Sequence, residues 1–308
     1  MRALAGLIVA GPLQAVGVIA LCTVLSFLAP PLTSLLSYVG AAALALYSLH
    51  VGASRGLLVL LGATLATGLL SQVALHQGAA VAVTSLLLWL PVWIAAGVLR
   101  TTRSLAMAML VLSGFAMLGV LLVFVVYGDP APWWQQVLQG MVDRLATQPE
   151  LTDAVDSLSA FVTQAAPLMT GSLAAGLSFA ALTCLMLGRW WQSLLVKPGA
   201  LRTEYYALRL NGALSLVGLV IIGLAAFKLG MLSKIALQWS LIAMVVFFFV
   251  GLAVLHATLA NLKAAKGWLI AAYVLMSLLP QALLMVIITG LLDPWLDLRR
   301  RTAKVESN

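Results

Sequence analysis

Side chains able to do chemistry are sparse in this sequence, and their spacing matches no catalytic or metal-binding pattern. His50, His76 and His256 are the only histidines. They lie too far apart for an HExxH or similar ligand spacing, so each reads as a hydrogen-bonded histidine towards the end of an apolar run. Asp293 and Asp297, in LLDPWLDLRRR, stand i, i+4 apart, as an acid–base pair on one helix face would. Pro294 and the arginines that follow point instead to a helix end neutralised by nearby charge. Cys22 and Cys184 sit in apolar runs without CxxC or metal spacing and read as packing residues. No Gly-rich phosphate loop or serine elbow occurs. The expectation is a chain with no catalytic residue, no metal and no cofactor, and so not an enzyme.

Charge is concentrated in one place. Only 8% of the 308 residues are charged, yet GRWWQSLLVKPGALRTEYYALRLN, residues 188–211, holds Arg189, Lys197, Arg202, Glu204 and Arg209 beside Trp190, Trp191, Tyr205 and Tyr206. Arg189 and Arg209 end one apolar run and begin the next, where long side chains reach phosphate headgroups, and Trp190 and Trp191 suit the interfacial belt. Pro198 and Gly199 predict a turn. The following ALRTEYY predicts a short helix that gathers Arg202, Tyr205, Tyr206 and Arg209, with Glu204 pairing to Arg202 or Arg209. The cluster reads as an interfacial anchor or a partner-docking surface.

The elements that carry these residues are apolar helices. With 63% hydrophobic residues the chain lies outside the range of soluble domains, and runs of about 20 apolar residues, enough to cross ~30 Å of hydrocarbon, recur throughout. The candidate spans are 13–29, 33–51, 56–75, 79–99, 104–127, 166–187, 210–230, 236–260 and 268–292. Their apolar character is continuous rather than alternating, which argues for an all-α polytopic bundle of eight to nine spans and against a barrel. The N-terminus has the outline of a signal peptide, but its apolar part is long and another span follows directly, so it reads as a retained first helix. Pro30 and Pro31 predict a tight hairpin after it. By domain, residues 1–127 form the first five spans, 128–165 an extracytoplasmic connection, 166–298 the remaining spans with a cytoplasmic loop at 188–209, and 299–308 a basic tail.

Lysine and arginine set the orientation, because positive loops resist translocation. With the N-terminus in the cytoplasm, that side holds Arg2, Arg55, Arg100, Arg103, Arg189, Lys197, Arg202, Arg209, Lys263 and Lys266, against Arg144, Lys228 and Lys234 opposite. This distribution accounts for the net charge of +8 without nucleic acid. Nine crossings would leave Arg299, Arg300 and Arg301 outside. The last run carries Pro280 and is too long for a straight crossing, so a bend or re-entrant turn is expected there, returning the tail to the cytoplasm.

Residues 128–165 are patterned as two short amphipathic helices. Trp133, Trp134, Val137, Leu138, Met141, Val142 and Leu145 recur at helical spacing, and so do Leu151, Val155, Leu158, Phe161 and Val162. Lying at the interface is one role for them; a lid over a cavity between the spans is another. No predicted span carries an ionisable Asp, Glu, Lys or Arg in its interior, which argues against a proton-driven carrier. Thr64, Thr67, Ser71, Gln72, Thr84, Ser85, Gln238, Ser240, Ser277, Gln281 and Thr289 are the uncharged polar residues within spans. They read as interhelical hydrogen bonds, or as the lining of a pocket for a small neutral ligand. Small-xxx-small pairs such as Gly62 with Ala66 and Ala41 with Ala45 are candidates for close helix packing.

Arg189, Trp190, Trp191, Gln192, Pro198, Gly199, Arg202, Glu204, Leu208 and Arg209, followed by Trp295, Asp297 and Arg299 to Arg301, form a pattern that resembles the YybS-like family of bacterial inner-membrane proteins. That family is similar, at a distance, to the substrate-binding membrane subunits of energy-coupling-factor transporters and to MreD. The resemblance implies a multi-span inner-membrane protein and brings no activity or catalytic residue. Two functions are expected from it and from the residues. One is a small-molecule binding or transport-associated membrane subunit without its own energy coupling. The other is a cell-envelope scaffold that recruits a membrane or cytoplasmic protein partner.

Overall fold

A computed structural model describes residues 1–28, 33–146 and 155–304. The Pro30–Pro31 hairpin, the acidic residues Glu150 and Asp153, and Leu151 lie outside the described residues. The helices in chain order are α1 (Arg2–Ala10), α2 (Pro12–Leu28), α3 (Leu35–Val51), α4 (Ala53–Leu75), α5 (Gly78–Thr102), α6 (Leu105–Tyr127), α7 (Ala131–Leu145), α8 (Val155–Ala165), α9 (Met169–Val196), α10 (Ala200–Tyr206), α11 (Gly212–Ala226), α12 (Met231–Asn261), α13 (Lys266–Leu278), α14 (Pro280–Leu296) and α15 (Leu298–Lys304). No strand occurs among the described residues. The protein is all-α and multi-pass in character. α4, α5, α6, α12 and the run from α8 through α9 are long and apolar enough to cross a membrane, and α13 with α14 make a sixth if that pair is one broken span. α2, α3 and α11 are apolar but shorter.

The chain divides into two compact units, Met1–Leu112 with Leu177–Arg209, and Ser113–Gly176 with Leu210–Asn308. In the first unit α3 is the central helix. Every residue from Gly40 to Leu49 is buried, and the run is mostly alanine, glycine and leucine, so neighbours approach its backbone closely. One such approach comes from Gly188 on α9, where an added methyl would sit 2.7 Å from Ala45 Cβ and 2.8 Å from Ala42 O. α3 stops because Gly52 adopts a positive φ of 136°, open to glycine at little cost. The indole of Trp93 on α5 donates to Ala53 O at 2.8 Å, fastening the next helix start.

In the second unit Val120, Phe124, Ala175 and Ile242 form a core. Buried Gln238 on α12 accepts from Gly171 N at 2.6 Å and donates to Pro167 O at 2.5 Å, while Trp239 donates to Met117 O at 2.9 Å. The amphipathic pair forms as α7 and α8. Val142 and Val162 turn inward, and Trp133, Met141 and Phe161 remain exposed. Gln139 links the two helices through Ser159 at 3.2 Å. At the start of α12, Lys234 holds Asp129 at 2.5 Å. Burial raises the Asp129 pKa, but the hydrogen bond from Lys234, the Ala131 amide and the lysine charge outweigh it, so the carboxyl lies below its ordinary range.

α12 and α14 run parallel. A methyl on Gly290 would fall on Phe247 O and Gly251 N, and one on Gly251 would fall on Val286 O, so the two backbones touch at a glycine from each helix. At the end of α12, Asn261 Nδ2 donates to Arg299 O at 3.0 Å and Thr302 Oγ1 at 3.3 Å on α15, just past the end of α14, which keeps the order and not its reverse. The chain reverses twice to achieve this. It turns back after α12, then bends by 115° between α13 and α14, where Pro280 cannot donate to the carbonyl of Met276.

The uncharged polar residues mostly do not bridge helices. Thr64, Thr84, Ser240, Ser277 and Thr289 each donate to a carbonyl three or four residues back on their own helix. That acceptor is always within reach, which is why it wins over a neighbour. Gln238 is one exception and Gln72, which accepts from Gly78 N at the start of α5 at 3.0 Å, is another; the buried hydroxyls of Thr67, Ser71 and Ser85 have no hydrogen-bond partner among the described residues.

Candidate binding pocket

The C-terminal ends of α3, α5 and α9 converge with α10 in the first unit. Helix C-termini leave carbonyls without intrahelical donors, and they carry the negative end of the macrodipole. Cationic side chains answer both needs here. Arg100, in the last turn of α5, donates to Leu49 O at 2.5 Å and His50 O at 3.0 Å at the end of α3. Gln192 on α9 donates to Leu49 O at 3.0 Å and accepts from Arg189 at 2.5 Å. Arg189 forks onto Glu204 of α10, with Nε to Oε2 at 2.9 Å and Nη2 to Oε1 completing a two-pronged ion pair. Arg103 caps α5 in the left-handed region at φ 54° and makes no side-chain hydrogen bond or ion pair among the described residues.

These groups enclose a pocket of about 210 Å³ lined by Leu49, Leu99, Arg100, Arg103, Arg189, Gln192 and Glu204. Three guanidinium groups face one carboxylate. The acceptors are engaged: Leu49 O takes two donors and both Glu204 oxygens hold Arg189. What the lining has to spare is donors.

The structure divides the residues singled out in the sequence. Arg189 and Glu204 line the pocket together, so Glu204 has Arg189 as a partner where the sequence suggested Arg202 or Arg209, and Arg189 holds a carboxylate where a headgroup was expected. α10 turns Glu204 back towards α9; contacts between residues 15 apart in sequence leave no helical spacing to read. Trp191 is buried at 1% exposure and belongs to the core, while Trp190 is exposed. On a helix the two neighbours point about 100° apart, so one of such a pair faces inward. Pro198 and Gly199 form the expected turn, Gly199 at φ 86° leading into α10. Arg202 lies over the Tyr206 ring at 5.2 Å from its centre and donates to its hydroxyl at 3.2 Å. Arg209 follows α10 and is exposed. Arg100 and Arg103 were legible only as positive charges at a span end; nothing in their spacing indicates a shared pocket with Arg189.

In the second unit, the tail residues form a separate cluster. Arg299 pairs with Asp293 at 2.7 Å with both side chains buried, and Arg300 faces Asp297 at 3.7 Å at the surface. Asp297 ends α14 at φ 41°, and α15 begins just beyond it with Arg299 in reach of Asp293. Trp295 and Arg301 are exposed. His256 and Tyr273 share a 2.8 Å hydrogen bond between α12 and α13. No group of three or more His, Cys, Asp or Glu residues among the described residues is placed to hold a metal. Comparison of the chain with family models, with curated proteins and with solved structures gives no match.

Proposed function

We propose that this chain is a binding or transport-associated subunit of the bacterial inner membrane, with its N-terminus in the cytoplasm and no energy coupling of its own. The observation that carries the reading is the polar pocket at the shared ends of α3, α5 and α9. A concave site with a few fixed polar groups is what a small ligand needs. On this reading the chain binds rather than catalyses, and the resemblance to the YybS-like family is part of the same proposal. The orientation is supported by charge. Arg100, Arg103 and Arg189 gather at one end of the first unit. Lys263, Lys266, Arg299, Arg300 and Arg301 flank the ends of α12 and α14, which the Asn261 contacts hold together in the second. Both sets are put in the cytoplasm by the positive-inside rule. The α13–α14 pair then enters and leaves by the same face, which makes eight full crossings from α2, α3, α4, α5, α6, α9, α11 and α12.

A second reading, a partner-recruiting scaffold, is favoured by one observation: exposed Arg202 lies over the Tyr206 ring on α10, and Trp190 on α9 is 39% exposed. Native mass spectrometry of the protein extracted in mild detergent separates the two. The first reading expects a retained small molecule at one per chain. A stoichiometric protein partner with no small molecule would replace it by the second.

A further inference from the structure

We infer that the pocket between Arg100, Arg103 and Arg189 is a site for a phosphate oxyanion. This rests on the pocket being a binding site and names the chemistry of its ligand. The argument is an account of charge and of hydrogen-bonding capacity. Glu204 offsets Arg189, and the partial negative charge at the end of α3 is met by Arg100 through Leu49 O and His50 O. Three guanidinium charges set against one carboxylate and the partial negative charges at the ends of α3, α5 and α9 leave the pocket positive. Hydrogen bonding points the same way. Leu49 O and each side-chain acceptor in the lining already hold a donor, whereas the guanidinium groups keep N–H groups unused, Arg103 all of them among the described residues. A neutral ligand rich in donors would find only acceptors already shared with an arginine or with Gln192. A group with several acceptor oxygens and negative charge would satisfy the lining, and guanidinium groups match phosphate oxygens by shape as well as charge. The Arg189 fork is held rigid by Glu204 and Gln192, so it is oriented before the ligand arrives.

Such a phosphate belongs either to a soluble phosphate compound or to the headgroup of an anionic lipid, and the test distinguishes them. Full-length protein is placed in nanodiscs of neutral phosphatidylcholine and titrated calorimetrically with inorganic phosphate at constant ionic strength. In parallel it is placed in nanodiscs containing phosphatidylglycerol, and the lipid retained after transfer to detergent is measured by native mass spectrometry. Each arm is repeated with Arg103→Gln. Arg103 is exposed and unbonded among the described residues, so this variant keeps its thermal unfolding midpoint. Saturable binding in either arm that weakens about tenfold in Arg103→Gln, the effect of losing one charge-assisted hydrogen bond, supports the site. Phosphate binding assigns it to a soluble ligand, and retained phosphatidylglycerol without phosphate binding assigns it to lipid. Binding indifferent to Arg103→Gln, or none in either arm, overturns the inference. A retained uncharged molecule at one per chain would overturn the oxyanion assignment while leaving the binding-subunit reading intact.

Discussion

The Asp293–Arg299 pair shows what a single contact reveals about this molecule. Its side chains are 1% and 6% exposed, and one carboxylate oxygen of Asp293 has no hydrogen-bond partner among the described residues. Two charges out of water attract strongly, but each has lost its hydration, so the pair adds little net stability while removal of one member leaves a charge uncompensated. Asp293→Ala is therefore expected to destabilise the protein by about 3–5 kcal/mol. The double replacement Asp293→Leu with Arg299→Met is expected to recover most of that loss. Thermal unfolding of the purified variants in detergent checks both, and equal damage from the single and double replacements would count against the pair. Sequence spacing suggested a neutralised helix end here, and Asp293 lies one residue beyond the predicted last span. Its burial was hidden because Asp297, at φ 41°, breaks the helix, and the Arg299 side chain beyond it reaches Asp293. Helical periodicity does not extend through such a break.

At the scale of elements, helix contacts in this protein turn on small residues at particular crossings. Gly251 and Gly290 let α12 and α14 touch backbone to backbone, whereas Gly223 on α11 has open space beside it. Gly290→Leu should cost about 3 kcal/mol by overpacking and reduce the yield of monodisperse protein. Gly223→Leu should leave that yield unchanged, and size-exclusion chromatography of fluorescent fusions compares the two. The helices themselves were legible, since long unbroken apolar runs have few alternatives, and the break at Pro280 was legible for the same reason. Crossing points were not. Gly62 with Ala66 and Ala41 with Ala45 looked as suitable as any pair; Ala45 is met by Gly188 of α9, and Gly62 by the side chain of Val16 on α2. In a chain with 25 glycines, the partner across the gap decides which small residue matters.

For the whole molecule, the direction of α14 governs where the tail lies. Parallel packing against α12 requires that α13 return the chain towards the start of α12, so Lys266 and Arg301 should lie on one side of the membrane. Single cysteines at these positions, in a chain with Cys22 and Cys184 replaced, are expected to resist an impermeant maleimide in intact cells and to react in inverted vesicles. A cysteine at Ser233 should behave oppositely, and labelling of positions 266 and 301 from different sides would exclude the hairpin. The arginine and lysine distribution gives the same expectation, while the pocket escaped it because its members come from four separate helices. The burial of α3 has a consequence for how the protein is made. Gly40 to Leu49 are enclosed by protein, but the ribosome releases them long before Gly188 is translated. The nascent chain must therefore shelter its innermost helix beside lipid or the insertion machinery until the glycine that closes over it arrives.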